Sequence, residues 1–490
     1  MGKRAARMAA RPLGLRTRRH AHATATAKES AMTQRFDAII IGTGQSGPAL
    51  AARLSGAGMK VAIIERGRFG GTCVNTGCIP TKTLIASAYA ARLAQRAGEY
   101  GVVIDGPVTV DMKRVKARKD EISGHSSQGV EQWVRGLEHG TVYQGHARFE
   151  SAHAVRVGEA RLEAERIFIN VGGRALVPPM PGLDQVPYLT NASMMDVDFL
   201  PAHLIVVGGS YVGLEFGQMY RRFGARVTIV EKGPRLIQRE DEDVSQAVRE
   251  ILENEGIDVQ LGADCLSARR DADNVIVGLD CASGAREVAG SHLLLAVGRV
   301  PNTDDLGLDR AGVETDARGY IRVDEQLRTT VPGIWALGDC NGRGAFTHTS
   351  YNDYEIVAAN LLDHDARKVS DRIPAYAMFI DPPLGRAGMT QAEAVQSGRR
   401  LLVGTRPMTR VGRAVEKGES QGFMKVIVDA DSGAILGASI LGVTGDEVIH
   451  TLLDAMYANA PYTTISRAMH IHPTVSELLP TLLQELRPLG

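Results

Sequence analysis

The sequence predicts an α/β chain with two Rossmann-like βαβ units and a C-terminal α+β domain, on three observations. A glycine turn between apolar strands stands near the start, and the same pattern returns 166 residues later. Residues 370 to 490 alternate apolar stretches such as "GFMKVIVDADSGAILGASILG" with helical patterns and carry no such turn. At 490 residues the chain is too long for one core, which leads us to expect two to four domains. Its 56 basic and 56 acidic residues lack the positive excess of a nucleic-acid surface, and no apolar run approaches the ~18 residues of a membrane span.

Residues 1 to 28 hold eight Lys or Arg and no acid, which leaves 48 basic against 56 acidic residues in the rest. The segment has no apolar core for a secretory signal. It reads as a disordered tail ahead of a start at Met32 in a cytoplasmic protein, with an organellar presequence as the lesser alternative.

In "RFDAIIIGTGQSGPALAARLSGAGMKVAIIER" an apolar strand to Ile41 runs into Gly42-x-Gly44-x-x-Gly47, a helical pattern and a second strand ending at Glu65. Glycines there permit the turn and let a pyrophosphate approach the helix N-terminus, while the carboxylate can accept hydrogen bonds from an adenosine ribose. "HLIVVGGSYVGLEFGQMYRRFGARVTIVEK" repeats the unit, with Gly208 and Glu231 each 166 residues after Gly42 and Glu65, and with Ser210 in place of the middle glycine. Two dinucleotide sites in one chain imply electron transfer between cofactors, a flavin and a nicotinamide being the obvious pair. "TTVPGIWALGDCNG" adds a short strand ending in Gly338-Asp339, a carboxylate at the edge where α/β folds bind ligands. No low-complexity linker separates these parts, so they are expected to dock rigidly.

Five cysteines cannot build a dense disulfide framework, and the odd number points to a reducing compartment. Cys73 and Cys78 in "GGTCVNTGCIPTKTLIASA" have no metal-ligand spacing around them. A buried structural pair is the bland alternative. Cys78 lies two residues before Pro80, an acceptable first-turn residue, so it should open a helix whose amides stabilise a thiolate. We therefore expect a redox dithiol.

Six segments in order, the first glycine turn, "GGTCVNTGCIPTK", "GGSYVGLE", "AVGRVPNT", "WALGDC" and "HIHPTVSE", resemble the class I pyridine nucleotide-disulfide oxidoreductases, which include dihydrolipoyl dehydrogenase, glutathione reductase and mercuric reductase. The resemblance runs from about residue 35 to 485. It implies an FAD-binding domain at 35–180 and 290–350 after a basic tail at 1–34, an NAD(P)-binding domain at 181–289 and a dimerisation domain at 351–490. FAD would be held by Gly42, Gly44, Gly47 and Glu65, with Thr72, Lys82, Gly338 and Asp339. The nicotinamide cofactor would be held by Gly208, Gly213, Glu231 and Gly298, with Tyr211 covering the flavin until nicotinamide displaces it. Because Glu231 would repel a 2′-phosphate, NADH is favoured over NADPH.

The resemblance further implies that Cys78 faces the flavin, that Cys73 attacks the substrate, and that Lys82 and Glu215 pair beside the flavin. His472 and Glu477 match the acid-base dyad, with His470 as the nearby competitor. In a homodimer they would complete the Cys73/Cys78 site of the other chain. The implied reaction passes two electrons between pyridine nucleotide, FAD and the dithiol to a small disulfide or dithiol. The alternatives are a metal-ion or oxidant-defence reductase resembling mercuric reductase, although "QELRPLG" carries no cysteine pair, and a dihydrolipoyl dehydrogenase subunit of a lipoyl complex. A non-catalytic docking subunit would not need both the dithiol and the dyad.

Overall fold

The computed structural model describes residues 33–263, 266–280 and 286–489. The basic tail, in either reading, therefore lies outside the described residues apart from its last two positions. The first apolar run forms the strand Thr33–Ile41, which pairs in parallel with Val61–Glu65 on one side and Ala160–Ile169 on the other. The glycine turn thus leaves a central strand at its carboxyl end, in the crevice where strand order reverses. Ile334–Ala336 joins the same sheet in parallel beside Ile167–Ile169, which delivers Gly338 and Asp339 to that crevice from far along the chain. Both faces of this sheet are covered, so Ala38 to Ile41 and Val61 to Glu65 are all buried.

The second unit repeats the layout. His203–Val207 is flanked in parallel by Arg226–Val230 and by His292–Leu295. The boundary expected at 289 therefore falls inside this unit, because the chain makes the antiparallel sheet Ser267–Asp271, Asn274–Gly278 and Glu287–Gly290 before supplying the last parallel strand. A two-stranded ribbon, Gly173–Ala175 with Arg299–Pro301, marks where the chain leaves and re-enters the first unit. The boundary expected at 350 also shifts, since the helix Thr347–Ala358 spans it without a break and packs on the helix Ser46–Gly56.

The third unit is a six-stranded antiparallel sheet from Ala375–Met378 to Arg487–Pro488, with the helix Gly445–Tyr457 against it. Buried ion pairs fasten it to the second unit. Arg222, 6% exposed, binds Glu255 and Asp381, each at 2.6 Å, and Lys425, 2% exposed, reaches Asp241 at 2.8 Å and Asp243 at 2.7 Å. No helix among the described residues is long and apolar enough to cross a membrane.

Candidate active site

Both glycine turns are built alike. Gly42 has φ +104°, and a Cβ there would lie 2.2 Å from the Asn170 carbonyl oxygen; Gly208 has φ +120°, with Ala296 O at 2.4 Å from such a Cβ. Only glycine tolerates that backbone at that distance. A Cβ on Gly47 would fall 2.3 Å from Gly42 O, and one on Gly213 would fall 2.0 Å from Gly208 O, so each helix approaches its strand as closely as backbone allows. The strand-end carboxylates fasten these turns. Glu65 accepts from Thr43 N at 3.0 Å and Gly67 N at 2.7 Å, and Glu231 accepts from Gly209 N at 2.6 Å and Gly233 N at 2.8 Å. Thr43 and Gly67 lie the same 166 residues before Gly209 and Gly233, so the repeat read in the sequence extends to the hydrogen bonds.

A cavity of about 1190 Å³ runs from the first glycine turn to the cysteines and on to the C-terminal unit. Gly42, Gly44, Glu65, Thr72, Cys73, Cys78, Lys82, Tyr211, Glu215 and Asp339 all line it. Asn170 Nδ2, buried in its wall, has no protein partner. Burial raises the Asp339 carboxyl, against the opposing effect of the Arg299 guanidinium 3.3 Å away. A long cavity with a glycine turn at one end, an unsatisfied amide in the wall and a dithiol at the other end fits FAD. Gly47, Gly298 and Gly338 do not line it. Gly338 donates its N–H to Asp353 at 2.7 Å, and Gly298 O accepts from Leu176 N at 2.9 Å beside the ribbon, so both shape the wall from behind.

The helix Cys78–Gln95 begins at Cys78, as expected, and both cysteines are free thiols. The Cys73 thiol hydrogen bond, assisted by the Thr347 hydroxyl and the Lys82 charge, draws the Cys78 thiol from its ordinary 9.0 down to about 6 against the effect of burial. Cys73 moves the other way, because its proton is held by Cys78 and because burial and the Cys78 charge disfavour a second thiolate. The two shifts run in opposite directions and favour a pair that keeps one proton, with Cys78 the readier anion.

Lys82 and Glu215 meet at 2.8 Å and 3.1 Å. Glu215 is 4% exposed and also accepts from Phe379 N at 2.9 Å, while the Lys82 ammonium stands 4.4 Å from the Phe379 ring centre. Tyr211 heads the helix Tyr211–Phe223 and packs on Phe346 at 5.6 Å between ring centres; burial raises its phenol.

His472 Nδ1 is 2.9 Å and 3.1 Å from the two Glu477 oxygens, and its side chain is 82% exposed. His470 instead turns Nδ1 onto Ser476 O at 2.9 Å, so the competitor is spent on the backbone. Neither His472 nor Glu477 lines the cavity that holds the cysteines of the same chain. Sequence reading missed Arg299 and Thr347. The first sits inside "AVGRVPNT"; nothing marks the second, which lies 269 residues from the sulfur it touches.

Residues 36–353 match the family described as "Pyridine nucleotide-disulphide oxidoreductase", and residues 374–483 match its dimerisation domain. Among curated relatives, the "Probable pyridine nucleotide-disulfide oxidoreductase RclA" of Escherichia coli is 36% identical over 91% of this chain and 98% of its own. A dihydrolipoyl dehydrogenase of Haloferax volcanii is 34% identical over 90% and 94%, and a mercuric reductase of Streptomyces lividans is 34% identical over 91% and 94%. Among solved structures, the Cu(II) complex of the HOCl-induced flavoprotein disulfide reductase RclA from Escherichia coli superposes with a TM-score of 0.84 at 35% identity, covering 92% of this chain and 99% of that one.

Proposed function

The chain belongs to the pyridine nucleotide-disulphide oxidoreductase family, an FAD- and NAD(P)H-dependent family of enzymes, and on that premise we propose that it carries two electrons from NADH through Cys73 and Cys78 to a small disulfide. The observation that supports this best is the pair of free thiols, one of them opening a helix with the Thr347 hydroxyl 2.9 Å from its sulfur, inside the cavity that fits FAD. FAD, when bound, supplies the two-electron step between the nucleotide and the dithiol. Lys82, oriented by Glu215, places a fixed cation at that end of the cavity, and Tyr211 closes the nucleotide side.

Thiol chemistry then follows from the residues. Cys73 attacks one sulfur of the acceptor disulfide, forming a mixed disulfide and releasing the first thiol. The Cys78 thiolate attacks the Cys73 sulfur, which releases the second thiol and closes the Cys73–Cys78 bond. In this reading His472, held by Glu477, takes the Cys73 proton as that sulfur attacks and returns it to the first departing sulfur, then relays a proton from solvent to the second. Because His472 is exposed and neither residue of the dyad lines its own chain's cavity, the dyad acts across a homodimer through the dimerisation domain, at the site of the second copy. Glu231 at the second turn disfavours a 2′-phosphate, hence NADH.

A second reading, reduction of a metal ion held by the two sulfurs, draws on the relatives solved with Cu(II) or named mercuric reductase. Steady-state turnover of a panel of small disulfides, Hg(II) and Cu(II) by wild type, Cys73→Ser and His472→Ala separates the two. Disulfide turnover should fall about 10²–10⁴-fold in His472→Ala while metal turnover changes little, because a metal bound by thiolates needs no proton at sulfur. Disulfide rates equal to the no-acceptor blank, beside rapid Cu(II) turnover, would replace the first reading by the second.

A further inference from the structure

The Thr347 hydroxyl oxygen lies 2.9 Å from Cys78 Sγ, on a chain segment 269 residues away. Its placement is not explained by helix capping. Thr347 is the first residue of the helix Thr347–Ala358, the cap position belongs to Phe346, and no side chain caps that end. The turn carrying it is held rigidly by aromatic packing: the Phe346 ring stacks on Tyr376 at 5.3 Å and 5° and on His348 at 5.4 Å and 10°. A β-branched side chain there has few χ1 rotamers, and the one adopted puts the hydroxyl on the Cys78 sulfur.

Three donors and one charge favour the Cys78 thiolate in the resting pair: the Cys73 thiol, the Thr347 hydroxyl, the backbone N–H of Cys78 itself and Lys82. The first of these is consumed by the chemistry. Once Cys73 is bonded to the acceptor sulfur it has no proton to donate, and that is the moment at which Cys78 must attack as an anion. Lys82 is already shared with Glu215. We propose that Thr347 is the side-chain donor that, with the Cys78 backbone N–H, keeps Cys78 a thiolate through the mixed-disulfide stage, an inference that rests on the reading of Cys73 and Cys78 as the working pair. Thr347 neither gains nor loses a proton; it holds the anion until the sulfur–sulfur bond forms.

The groups facing Cys78 are Cys73 from the preceding turn, Lys82 from its own helix, Glu215 and Tyr211 from the nucleotide-side helix, and Thr347. Replacing Cys73 by alanine imitates the loss of its donor and leaves the others in place. The test is the pH dependence of Cys78 alkylation by iodoacetamide in the full-length, flavin-loaded protein, read by mass spectrometry of the Cys78 peptide. Adding Thr347→Val to Cys73→Ala should move the midpoint upward by about one to two pH units, the value of a hydrogen bond to a charged acceptor. Thr347→Ser in the same background should restore most of the shift. Thr347→Ala carries the same expectation as valine should the valine variant fail to fold. An unmoved midpoint in the loaded variant overturns the inference. The alkylation midpoint does not depend on turnover, whereas full disulfide turnover by Cys73→Ala alone would overturn the dithiol reading.

Discussion

Removing one partner of the Lys82–Glu215 pair should cost very different amounts depending on which partner is removed. Glu215 is 4% exposed and Lys82 is 34% exposed, so solvent reaches the cation but not the anion. Lys82→Met strands a buried carboxylate with only the Phe379 N–H at 2.9 Å and removes the ammonium from the Phe379 ring. Breaking a buried pair in that way costs about 3–5 kcal/mol, and the partial exposure of Lys82 places this case near about 3 kcal/mol. Glu215→Gln keeps an oxygen for Phe379 N and for Lys82, and leaves a cation that water can solvate. Its cost should be that of weakening a charged hydrogen bond, about 1–2 kcal/mol. The double variant contains no stranded charge, so it should be more stable than Lys82→Met alone, with a favourable coupling of about 1–3 kcal/mol. Urea midpoints at fixed protein and FAD concentration, followed by flavin fluorescence, measure all three. Equal losses from the two single variants, or a double variant whose loss is their simple sum, would refute the assignment of the buried charge to Glu215.

Three further outcomes are expected. The long-wavelength absorbance of the two-electron-reduced enzyme, which requires the Cys78 thiolate, should disappear as pH falls through about 6 and be missing at every pH in Cys78→Ser; the sign follows from a thiol held below its ordinary value, charged above that pH and neutral below it. Co-refolding Cys73→Ser chains with His472→Ala chains should regain activity that neither has alone, because one site of a mixed dimer then holds both intact groups; no recovery would place each site within one chain. The ratio of kcat/KM for NADH to that for NADPH should exceed one and move toward NADPH in Glu231→Gln, and a strong preference for NADPH in the wild type would refute the argument from the Glu231 carboxylate.

The βαβ units were legible because their requirements are local: a positive φ that only glycine tolerates, a small residue five positions on and a carboxylate at the next strand end. The helix start at Cys78 was legible for the same reason, since Pro80 fits a first turn. Sheet membership is not local. His292–Leu295 belongs to the second sheet because it pairs with His203–Val207, some 90 residues earlier, and no periodicity in the intervening antiparallel strands announces that return. Asp339 could be read from its strand-end position, but its Arg299 partner and the contact between Thr347 and Cys78 exist only once three separate chain segments meet. The His472–Glu477 pairing was readable from "HPTVSE", and the resemblance already implied service to the other chain's site; the structure adds that neither residue lines the cavity of its own cysteines.

The carboxylates that fasten the two glycine turns bear on any attempt to redesign the enzyme's fuel. Glu231 is usually regarded as a lock on the sugar, to be exchanged for a cationic or small residue when a phosphorylated nucleotide is wanted. Here its two oxygens also hold Gly209 N, Gly233 N and, at 3.0 Å, the Gln238 amide, so the same side chain is the pin of the loop that must cradle the pyrophosphate. If Glu231 also reads the ribose, as proposed, exchanging it alters selectivity and unfastens the turn together. A productive conversion has to replace three hydrogen bonds elsewhere in the loop before it adds a single new contact to phosphate, and Glu65, which pins the first loop in the same manner, carries that constraint to the other cofactor.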